Sequence, residues 1–296
     1  MLQDPADDGR DHMIQIRHAK GGDAQECGRI CYEAFRVIAA EHNFPADFPA
    51  PETAIGILTR MFSHPGFYCV VAEDGGKILG SNCLDERTPI AGVGPVTVDP
   101  AEQNQQTGRR LMEAVMQRAA EKRFAGVRLV QVAYHNRSMS LYTKLGFAVR
   151  EPLACMQGPA LGKTLPECTV RRAEIKDLDT CNALCLHVHG HDRGGELRDA
   201  IGQSTAVVVE RGGSIRAYAT AMAYFGHAVG ANNETIQALI SAASAFQGPG
   251  ILVPTRNEEL FRWCLVNGLR IVHPMTLMST GLYNEPAGSF LPSVLF

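Results

Sequence analysis

The chain has 296 residues, which is enough for two domains of ordinary size. Hydrophobic residues make up 45% and charged residues 20%, so each domain can bury a full core. The net charge of −3 lacks the basic footprint of a nucleic-acid-binding protein, so we exclude nucleic acid as a partner. No apolar run reaches the roughly 18 residues of a transmembrane helix, so we expect a soluble protein with no membrane partner.

The N-terminus and the cysteines favour a cytoplasmic location. Residues 1–12 are acidic and lack the apolar core of a secretory signal, so we expect a disordered leader there. The nine cysteines are odd in number, form no C-x-x-C pair and lie mostly among apolar neighbours, as Cys69 does. We therefore expect buried free thiols in a reducing compartment, and no zinc site.

Hydrophobic periodicity and turn residues predict the elements of the first half. In chain order, these are a strand at 14–17, a helix capped by Asp23, a helix from Pro51 to Met61, strands at 67–72, 78–84 and 93–98, a helix at 108–123, a strand at 127–133, a helix from Asn136 to Lys144 and a strand at 147–149. Hairpins come first and a βαβ crossover comes last. This order predicts an α/β fold with a mixed sheet, of the α+β kind.

The second half begins near Thr169 and repeats features of the first. An offset of 154 residues aligns Asp23 with Asp177, and residues 141–147 resemble 263–269 later in the chain. Two aligned stretches in the same order favour an internal duplication, although short amphipathic segments also resemble each other by chance. We expect domains at 13–157 and 169–296, joined by a Gly- and Pro-rich linker at 158–168.

The most informative segment is the polar loop between the strand at 93–98 and the helix at 108–123. A helix N-terminus presents unpaired amide N–H groups and the positive end of the helix dipole, so a loop wrapped into it can hold a phosphate. Gly108 lets the backbone approach such an anion, and Arg109 adds positive charge. A capped polar loop without any ligand also fits the same pattern.

This loop resembles motif A of the GNAT acetyltransferase superfamily, in which [Gln/Arg]-x-x-Gly-x-[Gly/Ala] follows a strand. Gln103 fills the first position and Gly108 the last, but Gln106 stands where the family has glycine. Residues 136–147 resemble a second signature of the family, Asn-x-x-[Ala/Ser]-x-x-[Leu/Phe]-Tyr-x-Lys-x-Gly-Phe. The resemblance covers residues 14–155 well and the second half weakly, so it implies two tandem GNAT-like acyl-CoA N-acyltransferase domains.

The resemblance implies an acetyl-CoA site between two splayed parallel strands, at 93–98 and 127–133. It implies that Tyr142 is the general acid, which protonates the departing thiolate; a half-buried aromatic on an apolar helix face also fits this residue. The aromatic loop at 44–48 lies where the family binds acceptors. The implied cofactor-binding residues are Val96, Val98, Gln103, Asn104, Gln105, Gln106, Thr107, Gly108, Arg109 and Asn136.

The sequence does not identify the general base. Four residues lie near strand ends that can face the site, although each also fits a surface or capping role and a water chain can serve instead. These residues are Asp85, Glu86, Tyr134 and His135.

The second half lacks the residues for the chemistry. Cys264 stands opposite Tyr142, and residues 230–234 lack the glycine-terminated pattern of motif A. We therefore expect a non-catalytic GNAT-like domain that shapes the acceptor pocket or replaces a dimer partner. The histidines of residues 187–192 are expected in a solvated extended loop, with no metal bound.

The prediction is an N-acetyltransferase that moves an acetyl group from acetyl-CoA to a primary amine of a small molecule or peptide. The alternatives are a non-catalytic acyl-CoA-binding sensor, or an acyltransferase that uses another acyl donor or acceptor. The duplication favours a monomer or a weak homodimer. Because loops shape acceptor pockets, the sequence does not identify the acceptor.

Overall fold

The computed structural model describes residues 14–103 and 106–295 of the chain, so the leader predicted at 1–12 lies outside the described residues. Within these ranges, no helix has both the length and the apolar character needed to cross a membrane. All nine cysteines are buried free thiols, as predicted. The fold is a mixed α/β arrangement, which confirms the predicted class.

The described residues contain eight α-helices, fourteen strands and three short 3-10 turns. The helices are α1 (Ala24–Glu41), α2 (Pro51–Ser63), α3 (Thr107–Glu121), α4 (Asn136–Lys144), α5 (Leu178–His189), α6 (Gly194–Gly202), α7 (Asn233–Ala242) and α8 (Glu258–Val266). The strands of the first half are β1 (Gln15–His18), β2 (Phe67–Asp74), β3 (Lys77–Asp85), β4 (Ile90–Val93), β5 (Thr97–Val98), β6 (Gly126–Val132) and β7 (Ala148–Gln157). Those of the second half are β8 (Thr169–Arg172), β9 (Val207–Arg211), β10 (Ser214–Ala219), β11 (Ala228–Gly230), β12 (Ile251–Pro254), β13 (Arg270–Gly281) and β14 (Ser289–Leu291).

The two halves begin with the same side-chain arrangement. Asp23 accepts hydrogen bonds from the Arg17 guanidinium at 2.7 and 3.0 Å and from the Lys20 amide at 2.7 Å. Asp177 does the same with Arg171 at 2.7 and 3.0 Å, and with the amide of Glu174 at 2.8 Å. Each aspartate therefore fixes the turn that leads from the first strand into the first helix, which supports the duplication predicted from the sequence.

The strands form two sheets. In the described residues, the larger sheet runs β1-β2-β3-β4-β6-β13-β7-β12, with β5 paired to β3, and the smaller runs β14-β11-β10-β9-β8. All neighbours are antiparallel except β4 and β6, which pair in parallel over Ile90–Gly92 and Gly126–Arg128. Beyond Gly92 the two parallel strands no longer pair, and a cleft opens between them.

The two halves exchange their last strands across the predicted linker. Strand β13 of the second half lies between β6 and β7, where Leu277 faces Val130 on one side and Glu151 on the other. Strand β7 of the first half lies in turn between β13 and β12, with Ala154 opposite Val253. Backbone hydrogen bonds therefore cross the boundary predicted at 158–168, and each half completes its sheet with a strand of the other.

The equivalent cleft in the second half is filled. By the order of elements, β11 and β12 correspond to β4 and β6. Strand β14 pairs with β11, with Phe290 opposite Val229, and also contacts β12. A strand of the chain itself thus occupies the gap that remains open in the first half.

Two sequence expectations are wrong. The strand predicted at 93–98 is two strands, because β4 ends at Val93 and β5 turns away to pair with β3. Pro95 has no amide N–H to donate to a ladder, and Gly94 has a φ of 139°. The expectation of an extended histidine loop is also wrong. His187 and His189 belong to α5, because the apolar face of that helix continues to Val188.

Candidate active site

A cavity of about 880 Å³ lies where β4 and β6 separate. Its walls come from α1 and the loop after it, the β4–β5 segment, the N-terminus of α3, β6 and α4. The second half adds an apolar wall that includes Tyr224, Phe225, Met275 and Val294. The cavity is therefore a cleft of the first half that the second half closes on one side.

The structure brings the described residues of the predicted cofactor set to this one cavity. Asn104 and Gln105 lie outside the described residues. The others all line the cavity, and their role in cofactor binding stays a prediction: Val96, Val98, Gln103, Gln106, Thr107, Gly108, Arg109 and Asn136.

Gln106 has the backbone conformation of a glycine. It precedes the first residue of α3 with φ 62° and ψ 7°, in the left-handed region, and its side chain makes no capping hydrogen bond. A non-glycine residue adopts this conformation at a cost of about 1–2 kcal/mol. The preference of the resembled motif for glycine at this position thus has a backbone cause, and the loop takes the same shape with glutamine.

The N-terminus of α3 offers unsatisfied polar groups to the cavity. The first amides of a helix have no partner within the helix. The Thr107 side chain is 2% exposed, and its Oγ1 has no hydrogen-bond partner among the described residues. A Cβ at Gly108 would meet Val98 and Leu141 only at 3.7 and 3.8 Å, so packing alone does not require glycine there.

Two guanidinium groups lie beside this helix end. Arg109 is in the first turn of α3, where its Nη1 lies 3.3 Å from Glu113 Oε1. Arg137 of α4 lines the opposite wall, and its Nη1 donates a 3.0 Å hydrogen bond to Gln103 Oε1. Sequence reasoning assigned no role to Arg137, although it stands directly after Asn136 in the second signature. A helix end with two arginines beside it is an arrangement that can bind an anion, and we call it the anion site below.

Tyr142 lies on the α4 wall of the cavity. The residue is 7% exposed, and burial raises the pKa of its phenol to about 12. The nearby side chain of Ser138, one helical turn earlier, acts against this shift in pKa. The phenol is therefore protonated at neutral pH and can donate its hydrogen.

Ser138 and His135 lie on the same wall of the cavity as Tyr142. Ser138 Oγ lies 2.8 Å from His135 Nδ1. Burial lowers the pKa of His135, so its ring is neutral at pH 7 and can accept or donate through its two nitrogens. All three residues line the cavity.

The structure separates the four candidate bases. Asp85 is paired with Arg87 at 2.8 Å and Glu86 with Arg118 at 2.6 Å, and neither lines the cavity. The ring of Tyr134 is stacked on Phe44 with a centroid distance of 4.2 Å, and burial raises its pKa, so the phenol stays protonated at neutral pH and cannot serve as a base. Of the four, His135 alone lines the cavity.

Sequence reasoning missed Asp47. This residue lies in the aromatic loop after α1, is 4% exposed and lines the cavity. Neither of its carboxylate oxygens has a hydrogen-bond partner among the described residues. Burial raises the pKa of the carboxyl group to about 7. The signal available in the sequence was a single acid within an apolar stretch of prolines and phenylalanines.

The histidines of the second half do not form a metal site. His189 and His191 are 2% and 5% exposed and lie in a buried cluster of charged groups with Arg193 and Glu196. Within residues 14–103 and 106–295, no three His, Cys, Asp or Glu side chains are grouped as metal ligands would be.

Comparisons with known proteins agree with this geometry. The sequence model of the Acetyltransferase (GNAT) family matches residues 32–147. A solved structure assigned as an acetyltransferase from Pyrococcus horikoshii has 15% identity and a TM-score of 0.72, over 95% of this chain and 94% of that one. A GCN5-related N-acetyltransferase from Sphaerobacter thermophilus has 14% identity and a TM-score of 0.62, over 92% and 96% of the two chains.

A tandem GNAT protein from the clavulanic acid biosynthesis pathway is also similar, with 12% identity, a TM-score of 0.55 and coverage of 90% of this chain and 98% of that one. The search of curated proteins found no match. Together these comparisons show that the chain has the fold of solved acetyltransferases. More particularly, residues 32–147 match the GNAT family, so a GNAT domain lies in the first half, and the overall fold is similar to that of a tandem GNAT protein.

Proposed function

We propose that the chain transfers an acetyl group from acetyl-CoA to a primary amine of a small molecule or peptide. One observation carries the proposal: the N-terminus of α3 and the buried phenol of Tyr142 line the same cavity between β4 and β6. The first is suited to a diphosphate and the second to a leaving sulfur.

The residues present fit acetyl-CoA at the anion site. The amides of the first turn of α3, the unpartnered Oγ1 of Thr107 and the guanidinium groups of Arg109 and Arg137 would hold the diphosphate. Backbone groups of Val96 and Val98 would bond to the pantetheine arm. When bound, acetyl-CoA supplies a thioester whose carbonyl carbon an amine can attack.

Tyr142 would act as the general acid. As the C–N bond forms and the C–S bond breaks, the sulfur leaves as a thiolate, and the phenol donates its proton to it. With a pKa of about 12, the phenol is protonated at neutral pH and is available to the sulfur as negative charge develops there. His135 can take up a proton from solvent on one ring nitrogen and pass one from the other toward Tyr142 by way of Ser138, whose Oγ lies 2.8 Å from His135 Nδ1.

A test measures release of free CoA from acetyl-CoA with a panel of amines. Tyr142→Phe removes the phenol and is expected to lower kcat by about 10²–10⁴-fold while the Kd for acetyl-CoA, measured by calorimetry, stays the same. Tyr32→Phe removes a phenol that does not line the cavity and serves as the matched control.

The outcome also separates the proposal from its alternatives. Tight binding of acetyl-CoA without CoA release from any amine would indicate an acyl-CoA sensor, and turnover only with other acyl thioesters or with alcohols would indicate a different donor or acceptor. Equal kcat for Tyr142→Phe and the unchanged protein would remove Tyr142 from the mechanism.

A further inference from the structure

The loop between α1 and α2 places one carboxylate in the cleft. Asp47 is 4% exposed, and both of its oxygens lack a partner among the described residues. An ionised carboxylate that is buried without a partner is strongly unfavourable, so such groups are normally paired or hydrogen-bonded. Because Asp47 lines the cavity, a ligand in the cleft can supply the missing partner.

The groups around Asp47 are uncharged. Its charge acts on Cys31 of α1, Tyr134 after β6, Cys155 of β7 and Tyr224 of the second half, and burial raises the pKa of each of these groups. Two imidazoles, His42 and His273, contact the ring of Tyr134. Burial lowers the pKa of His273, which disfavours its charged form. No arginine or lysine pairs with Asp47 in the described residues.

The remaining wall of this end of the cleft is apolar. Phe48 follows Asp47 in the loop, and Tyr224, Met275 and Val294 come from the second half. Two of these wall residues are nearly inaccessible to solvent, since Tyr224 is 4% exposed and Met275 is 2% exposed. The cationic groups Arg109 and Arg137 lie instead beside the N-terminus of α3. The cleft thus has a basic end suited to a diphosphate and an apolar end with the buried acid Asp47, while Glu41 and Glu102 line other parts of the cavity wall.

Resting on the function proposed above, we infer that the acceptor is a cationic amine with an apolar or aromatic substituent, whose ammonium group Asp47 binds and deprotonates. The ammonium group gives one proton to the carboxylate and becomes the neutral amine that attacks the thioester. The nitrogen loses its second proton as the amide forms. Overall, the ammonium group loses two protons. One of them balances the proton that Tyr142 gave to the sulfur, and the other is released to solvent when Asp47 ionises again.

The proposal is tested with acetyl-CoA and two aromatic amines of similar shape, 2-phenylethylamine, which is cationic at neutral pH, and 4-methylaniline, which is neutral. Asp47→Asn is expected to raise KM at least tenfold and to lower kcat for 2-phenylethylamine, while KM for 4-methylaniline changes less than twofold. The Kd for acetyl-CoA is expected to stay the same. Glu52→Gln, an exposed carboxylate of α2, is the matched control.

Stability gives an independent measurement. If Asp47 only supports the fold, Asp47→Asn lowers the melting temperature; if it is an unpaired group kept for a ligand, the melting temperature stays equal or rises. Equal KM values for the cationic amine in Asp47→Asn and the unchanged protein would overturn the inference. Absence of CoA release with every amine in the unchanged protein would instead count against the acetyltransferase function itself.

Discussion

Ser138 Oγ lies 2.8 Å from Nδ1 of His135, and Ser138 precedes Tyr142 by one turn in the same helix. A phenol that gives its proton to a buried sulfur becomes a phenolate in a poorly hydrated place, and it must recover a proton before the next turnover. The serine connects it to the imidazole of His135, which lies at the start of α4 and is half-buried. This chain predicts that Ser138 is a positioning residue for proton return.

Ser138→Ala should lower kcat by about tenfold, less than the 10²–10⁴-fold range of a lost general acid, because the phenol remains but its reprotonation is slower. The KM for acetyl-CoA should not change, and the solvent deuterium isotope effect on kcat should increase. Thr143→Ala, at an exposed position of the same helix, is the control. A rise in KM together with an unchanged kcat would show that Ser138 only shapes the cavity.

The left-handed backbone of Gln106 leads to a prediction about stability. In Gln106→Gly, removal of strain worth about 1–2 kcal/mol outweighs the extra freedom of glycine in the unfolded chain, about 0.5–1 kcal/mol. The free energy of unfolding should therefore rise by up to about 1 kcal/mol, and the affinity for acetyl-CoA should not fall. Urea denaturation and calorimetry measure the two quantities.

The control for this variant is Gln117→Gly, which lies at an exposed position within α3. Glycine inside a helix is destabilising by roughly 0.5–1 kcal/mol relative to alanine, so the two glutamine-to-glycine changes should have opposite signs. A loss of stability in both would contradict the conformation of Gln106 described above.

How far the sequence predicts this fold depends on the range of the interactions involved. Local patterns were sufficient for helices such as α4, where Asn136 and Lys144 bound the element as predicted. The break at Gly94 and Pro95 was missed because an apolar run of the right length outweighed the two residues that cannot continue a ladder. The exchange of β7 and β13 was not visible, since strand order depends on contacts between residues more than a hundred positions apart.

The sequence predicted those residues of the candidate site that belong to a motif. It missed the residues whose importance depends on the three-dimensional shape of the cleft. Motif residues such as Gln103 and Tyr142 line one cavity, and their roles stay predictions. Asp47 and Arg137 have no spacing that marks them, because the first acquires its meaning from burial and the second from a contact across the cleft. The base candidates Asp85 and Glu86 were placed near the site by strand ends alone, and both are paired with arginines away from the cavity.

The strand exchange predicts that the first half does not fold by itself. A fragment of residues 13–157 would leave β6 and β7 without β13 between them, so a gap in the sheet and two unpaired edges would remain. We expect this fragment to be insoluble or to unfold without a cooperative transition, and co-expression of residues 158–296 should restore both solubility and a sharp transition in circular dichroism.

A full-length protein with a protease site inserted in the 158–168 segment is the matched control. After cleavage, its two pieces should stay associated in size-exclusion chromatography, because the exchanged strands hold them together. Cooperative melting of the isolated 13–157 fragment near the temperature of the whole chain would contradict the mutual dependence of the two halves.

Buried histidines of the second half predict a loss of stability in acid. Burial lowers the pKa of His191 and of His227 to about 4, and that of His189 well below its ordinary value. An unfolded histidine binds a proton near pH 6.5, so between about pH 6.5 and 4 the unfolded state holds more protons and stability falls as the pH falls. Asp47, whose pKa is raised to about 7, acts in the opposite direction, as do Asp85 and Glu151 with their raised pKa values.

Because five histidines with lowered pKa values act together, counting His135 and His273, the net effect in this range is a loss of stability. Each fully shifted histidine contributes up to about 1.4 kcal/mol per pH unit. His191→Asn should reduce the slope of unfolding free energy against pH by up to that amount, whereas Gln203→Asn, at an exposed position without a titratable group, should leave the slope unchanged. Urea denaturation at pH 5 to 7 measures the slope, and equal slopes for His191→Asn and the unchanged protein would mean that His191 titrates alike in the folded and unfolded states.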